Sequence, residues 1–235
     1  VEIDSKSVIF VSFNHKSIFK MPIYLNIDAE NRNRLMVWQI TESFENLYSM
    51  VKLSDEDEAT LKSFRFAPRK KEWLAVRVIV KQILGDDFRI FYKKSGAPYF
   101  KDSKLYIGIS HTNGFAGVSI APYPTALDME KASPRIERVC QRFVRDDEMA
   151  YIPKKRKIDY YNAIWAAKET LFKLFDRKDV VFKERFVIPP FTLAPEGEIT
   201  ANVNFDGIHS DVLMGYRETP YFTLIYYVNR AGNDL

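Results

Sequence analysis

Cysteine is almost missing from this chain. Cys140 is the only one in 235 residues. No internal disulfide framework can form, and a reducing compartment is the expected setting. No uninterrupted run of 18 apolar residues occurs, so no transmembrane helix is expected. The opening "VEIDSKSVIF" has no basic segment followed by a long apolar stretch, so no signal peptide is expected either. Zinc-finger spacing and aromatic RNA-binding signatures are also absent, and we expect no nucleic-acid partner. No low-complexity linker divides the chain. What remains is a soluble, cytoplasmic protein, 46% hydrophobic and 14% aromatic, with ample material for a packed core.

The net charge is +4, but it is unevenly spread. Lys131 to Lys157 holds nine Lys/Arg against four Asp/Glu, and ends in "KKRK" at 154–157. Such a segment steers acidic partners by electrostatics. A solvated charge run is the plain alternative.

The strand and helix patterns alternate along the chain. "SVIFVSF" and "RLMVWQI" read as strands. "LSDEDEATLKSF" reads as a helix capped by Ser54, with acids in its first turn. Pro68 reads as a break, followed by the helix "RKKEWLAVRVIVKQIL" with Gly85 as its stop. "FRIFY", "LYIGIS", "FAGVSIA" and "TALDMEK" read as strands, with "KSGAPY" as a turn. Further on, "SPRIERVCQRFV" reads as a helix with Pro134 in its first turn. "DDEMAYI" and "KIDYYNAIWAAKETLFKLF" read as a short and a long helix. "DVVFKERFVI", "EITANVNF", "SDVLMGYR" and "YFTLIYYV" read as strands. Each half therefore holds strands and one long helix, with the division near Ile120.

Two patterns carry chemistry. In "LDMEK", Asp128 and Glu130 are two apart on a strand and share a face, while Met129 points into the core. Paired carboxylates repel unless a positive charge lies between them, and Mg²⁺ favours such hard oxygen ligands. In "WAAKETLFK", Glu169 and Lys173 are four apart and share a helix face. An exposed ion pair is the ordinary reading of that spacing. A third carboxylate and a phosphate donor beside the first two is the functional one. Ser110 and His111 close the strand "LYIGIS", where a hydroxyl and an imidazole suit phosphate binding.

"GAPYF", "ISHTNGFAGVSIA", "LDMEK" and "WAAKETLFK", in this order and at these intervals, resemble the phosphopantetheinyl transferases of the longer, two-half Sfp type. The family pattern is G-K-P, S-H-S, D-x-E and W-x-x-K-E-x-x-x-K, and the likeness is clear over residues 65–175. The resemblance implies an α+β fold of two pseudo-symmetric halves, here 1–120 and 121–235. In each, strands pack on one long helix, and coenzyme A lies in the cleft between them. It implies a monomer that moves the phosphopantetheine arm of coenzyme A onto a serine of an acidic carrier protein. Adenosine 3′,5′-bisphosphate is released. By the same resemblance Asp128, Glu130 and Glu169 hold Mg²⁺, with Mn²⁺ open as an alternative. Glu169 is also the general base, and Lys173 meets the diphosphate. Ser110 and His111 meet the 3′-phosphate, and Arg69 and Arg77 line the nucleotide site. Lys168 and Trp165 match the motif, with Trp165 read as core packing.

Two positions depart from the family. Ala97 stands where the lysine of G-K-P is expected, which leaves Lys93 or Lys94 to replace it. Ala126 stands where a glycine precedes D-x-E. Two rival readings fit the residues less well. A Mg²⁺-dependent nuclease or phosphodiesterase needs an acid and a lysine two apart on a strand. Here Lys131 follows Glu130 directly, and the Glu169–Lys173 pair is helical. A non-catalytic binder of coenzyme A or carrier protein has only Ala97 in its favour. Neither the carrier nor its pathway is legible.

Overall fold

Residues 34–40, "RLMVWQI", are apolar without alternation, as a strand buried on both faces must be. The computed structural model, which describes residues 22–29, 33–177, 180–205 and 207–229, places them accordingly. Strand β1 (Ile23–Ala29) pairs with β2 (Asn33–Gln39). Leu35 and Val37 of β2 point to one side, and Met36 and Trp38 to the other. Helices α1 (Phe44–Ser49), α2 (Asp55–Ser63) and α3 (Ala67–Leu84) follow. Ser54 caps α2 by accepting from the Asp57 N–H at 3.2 Å, and Gly85 at φ 91° ends α3. Pro68 lies inside the first turn of α3 and not before it. Proline is tolerated there because its missing N–H has no helical partner to lose.

The hairpin β3 (Ile90–Tyr92) and β4 (Pro98–Phe100) leads to β5 (Tyr106–Thr112) and β6 (Phe115–Ala121). The first sheet is antiparallel in the order β1-β2-β6-β5, and α3 packs Trp73, Val76, Val80 and Ile83 against it. The chain then enters β7 (Leu127–Glu130), two 3₁₀ turns, α4 (Asp146–Tyr151), α5 (Lys157–Phe175) and α6 (Phe182–Arg185). The last strands are β8 (Phe186–Val187), β9 (Glu196–Phe205), β10 (Ile208–Glu218) and β11 (Thr223–Tyr227). They form a second antiparallel sheet, β7-β11-β10-β9-β8, covered by α5. The architecture is mixed α and β with antiparallel sheets. No helix among the described residues is long and apolar enough to cross a membrane.

The two sheets meet through a shared core. Leu35, Val37 and Phe115 of the first touch Leu127, Met129, Phe222 and Leu224 around the second. The approach is close at Gly108 of β5. A Cβ there would stand 2.9 Å from the Cα of Ala126 and 2.6 Å from Ser119 Oγ. Any larger residue would push β5 off the start of β7.

Several elements differ from the sequence reading. Residues 134–142 form two 3₁₀ turns, separated at Val139 with φ −118°, not one helix. Residues 180–188, the described part of the expected strand 179–188, are not a strand throughout. Phe182 and Phe186 are four apart, the spacing of a helical turn, and their tilted rings pack at 5.7 Å, so only Phe186–Val187 extends. Strand β1 and helix α1 carry no strong local signal, and β4 takes in Pro98 and Tyr99 of the run expected as a turn. "SVIFVSF" lies outside the described residues.

Candidate active site at the seam of α5 and β7

Met129 is buried between the sheets, so Asp128 and Glu130 must face α5. The helix answers with a stripe. Asn162, Trp165, Glu169 and Lys173 recur at three- and four-residue spacing along one face of α5. Asn162 donates to the Glu130 backbone oxygen at 3.0 Å and to Thr223 Oγ1 at 3.1 Å. The Trp165 indole N–H donates to Glu130 Oε1 at 3.1 Å. Lys173 Nζ donates to Asp128 Oδ1 at 2.6 Å and to the Leu127 oxygen at 3.3 Å. Glu169 lies half-buried between these contacts. Residues up to 61 apart in sequence are thus brought together.

Asp128 is 4% exposed. Its Oδ1 accepts from Lys173 and from the Ser110 hydroxyl at 3.0 Å, while Oδ2 is buried without a hydrogen-bond partner. Burial, then the charge of Asp128, pushes the Glu130 carboxyl up, against the pull of Trp165, Lys173 and His111. Burial and the charges of Asp128 and Glu130 push Glu169 up to about 7, and Lys173 offsets this only in part. Desolvation outweighs it, because the ammonium sits on Asp128.

Three crowded carboxylates, one of them with an orphaned buried oxygen, gather more negative charge than a single lysine offsets. Their donors are the hard oxygens that Mg²⁺ or Mn²⁺ takes. Asp128, Glu130 and Glu169 fit such a cation in kind. Among the described residues, no group of three His, Cys, Asp or Glu side chains stands ready-made around a metal position.

The remaining predicted residues divide. Ser110 and His111 are neighbours on β5 and point to opposite faces. The Ser110 hydroxyl is taken up inside, donating to Asp128 and accepting from the Met129 N–H at 3.1 Å. His111 turns outward, with Nδ1 3.1 Å from Glu72 Oε2. The same oxygen is 3.5 Å from Arg69, whose guanidinium also lies over the Phe64 ring. Burial would raise the Glu72 carboxyl, but His111 and Arg69 together hold it below its ordinary value. Arg77 is not gathered with the carboxylates. It donates to Asp57 at 2.6 Å and covers the Trp73 ring, clamping α2 to α3.

Lys168, beside Glu169 in sequence, points the other way into the core. It donates to Glu148 Oε2 at 2.8 Å and to the Phe143 oxygen at 2.7 Å. Trp165 does pack, as read from the sequence, against Phe143 and Phe182. Its hydrogen bond to Glu130 was missed, as was Asn162. Both fall on the helical stripe that runs through Glu169 and Lys173, and that periodicity could have found them. Beyond Glu130 a cavity of about 560 Å³ opens, walled by Ile136, Val139, Phe143, Trp165, Val181 and Phe182. Lys131 and Arg142 line it as well.

No family model matches the sequence, and no curated protein matches it at a significant level.

Proposed function

We propose that this protein transfers the phosphopantetheine arm of coenzyme A onto a serine of an acidic carrier protein. One observation carries the reading. The Trp165–Glu169–Lys173 stripe lies directly on Asp128 and Glu130, so the two motifs that resemble the Sfp-type transferases meet at 2.6 and 3.1 Å. The same reading takes the sheet with α3 and the sheet with α5 as pseudo-symmetric halves. They divide where the chain leaves β6 for β7, and coenzyme A lies in the cleft between them.

In this mechanism the carrier serine Oγ attacks the phosphorus on the pantetheine side of the diphosphate. The bond to the leaving adenosine 3′,5′-bisphosphate breaks, and Glu169 takes the serine proton. A base suffices if it lies within hydrogen-bond reach of the hydroxyl. Lys173, steadied by the Leu127 oxygen, presents its ammonium to the diphosphate oxygens. Trp165 and Asn162 fix Glu130 from its carboxylate and its backbone. Ser110 holds Asp128 from beneath. A divalent cation held by Asp128, Glu130 and Glu169 supplies charge neutralisation for the diphosphate and the leaving oxygen.

The test is mass spectrometry of a panel of apo carrier proteins after incubation with the protein, coenzyme A and Mg²⁺. A gain of one phosphopantetheine mass on any member is the expected result. No gain across fatty-acid, polyketide and peptide carriers overturns the proposal.

The basic segment gives a second test. Arg156 is held by Asp159, Glu218 and the Leu193 oxygen, so it is structural. Arg135 and Arg138 are exposed on the 3₁₀ turn beside the cavity. Reversing both to Glu should slow association with the carrier several-fold at low salt, with the difference fading as salt rises. Coenzyme A affinity should not change. Stopped-flow association rates at two ionic strengths check this. Identical rates for variant and wild type would leave the segment as a solvated face.

A further inference from the structure

The cavity beside Glu130 is lined by two kinds of polar group, those already satisfied and those still free. Trp165 and Asn162 are of the first kind. The Trp165 indole N–H is taken by Glu130, and the Asn162 amide donates to the Glu130 backbone oxygen and to Thr223. Neither has a hydrogen bond left to donate, so a polar group brought in beside them would lose its water and gain nothing. An apolar group fits there. The Phe143 and Phe182 rings pack on Trp165 at 4.9 and 5.6 Å and complete an aromatic wall.

Lys131 and Arg142 are of the second kind. Both line the cavity, both are exposed, and neither makes an ion pair among the described residues. Two free cations on an open surface are ordinary. These two border an apolar space of about 560 Å³, well within the ~300–1,000 Å³ of small-molecule sites. Val139 and Val181 also line it and are left in water, 39% and 53% exposed. The carboxylate of Glu130 offsets one of the two cations, so the lining carries one net positive charge. That favours a monoanion over a doubly charged phosphate. The Arg142 guanidinium can hold a carboxylate by two parallel hydrogen bonds.

We propose that this cavity binds an apolar monocarboxylic acid, with its hydrocarbon tail on the Phe143–Trp165–Phe182 wall and its carboxylate on Lys131 and Arg142. The inference asks nothing of coenzyme A and stands apart from the transferase reading. It bears on the carboxylate cluster all the same, because the tail lies on the ring that holds Glu130.

Dodecanoate, kept below its micelle concentration, is the probe for the full chain. Calorimetric titration should show saturable binding of one molecule. Of the three tryptophans, Trp38 and Trp73 are buried in the core under α3, so Trp165 is the reporter. Its fluorescence should change with the same midpoint. Exposed ion pairs are individually weak, so Lys131→Ala and Arg142→Ala should each lose about two- to fivefold in affinity and the double variant about tenfold. Both side chains are exposed, and thermal melts should not move. Dodecanol has the same tail without the charge. It should bind the wild type about tenfold more weakly than dodecanoate does, and the double variant no differently from the wild type. Val181→Phe narrows the cavity and should weaken both probes. No binding of dodecanoate to the wild type overturns the proposal and leaves the cavity to an apolar side chain of a protein partner. Equal affinity for the two probes, or dodecanoate binding unchanged in the double variant, also overturns it, since apolar surface alone would then account for the binding. Binding that leaves Trp165 fluorescence and the Val181→Phe affinity unchanged overturns it too, because the acid would then lie elsewhere on the protein.

Discussion

Glu169→Gln and Lys173→Met should each lose on the order of 10²–10³ in transfer rate, the loss typical of a charge-stabilising group removed from a reacting centre. Their effects on stability should differ in sign. Glu169 is a half-buried carboxylate crowded by Asp128 and Glu130. Gln keeps its size and removes the repulsion, so the variant should unfold at the same temperature or higher in metal-free buffer. Lys173 is the cation on buried Asp128. Met keeps much of the stem and leaves Asp128 with the Ser110 hydroxyl alone, so stability should fall by about 1–3 kcal/mol. An exposed ion pair between Glu169 and Lys173 predicts otherwise. Either change would then cost about 0.3–0.5 kcal/mol and nothing in turnover. Single-turnover transfer rates and thermal melts on the same samples separate the two. The double variant should be no slower than the slower single, since both groups act on one reacting centre. Full activity in either single variant would return the stripe to an ordinary helix surface.

The sequence carried this site further than it carried the fold. Alternation alone placed Met129 inward and Asp128 and Glu130 together, and β7 obeys it because Leu127 and Met129 fill the joint between the sheets. Local signals also held where one residue decides an element. Ser54 caps α2, and Gly85 stops α3. Local signals failed where tertiary partners decide. The turn at Phe182 depends on Phe186, Phe172 and Trp165 packing around it, and two of those rings, Phe172 and Trp165, lie on α5. Ser110 and His111 were grouped as one phosphate contact. Alternation turns the Ser110 hydroxyl onto Asp128 and the His111 ring onto Glu72. Arg77 is expected at the nucleotide site, and Asp57, 20 residues earlier, takes its guanidinium.

Lys168→Met should be the most destabilising of these changes, at about 3–5 kcal/mol, because it strands a buried carboxylate without its cation. Lys168 and Glu148 are 0% and 1% exposed. Glu148 is held on every side. Its Oε2 accepts from Lys168 and from the Arg145 N–H, and Oε1 accepts from the Ile188 N–H, the last two at 2.8 Å. One carboxylate thereby ties the start of α4, the segment after β8 and the middle of α5. The lysine adds the Phe143 oxygen, and Phe143 forms a wall of the cavity beside Glu130. Burial pulls the ammonium down and the charge of Glu148 pulls it back up, so the pair survives only as a pair. The loss is a large share of a domain's total stability of about 5–15 kcal/mol. Urea unfolding should therefore show either a much lower midpoint or a chain that is unfolded without denaturant. Glu148→Gln in the Lys168→Met background should recover part of the loss. A neutral amide oxygen still accepts a backbone N–H, and no charge is left unpaired. An unfolding curve for Lys168→Met that overlays the wild type would refute the pairing. Adjacent in sequence, Lys168 and Glu169 would then have no reason to behave differently. With the pairing intact, Glu169→Gln loses rate and keeps the fold, and Lys168→Met loses the fold and takes the rate with it.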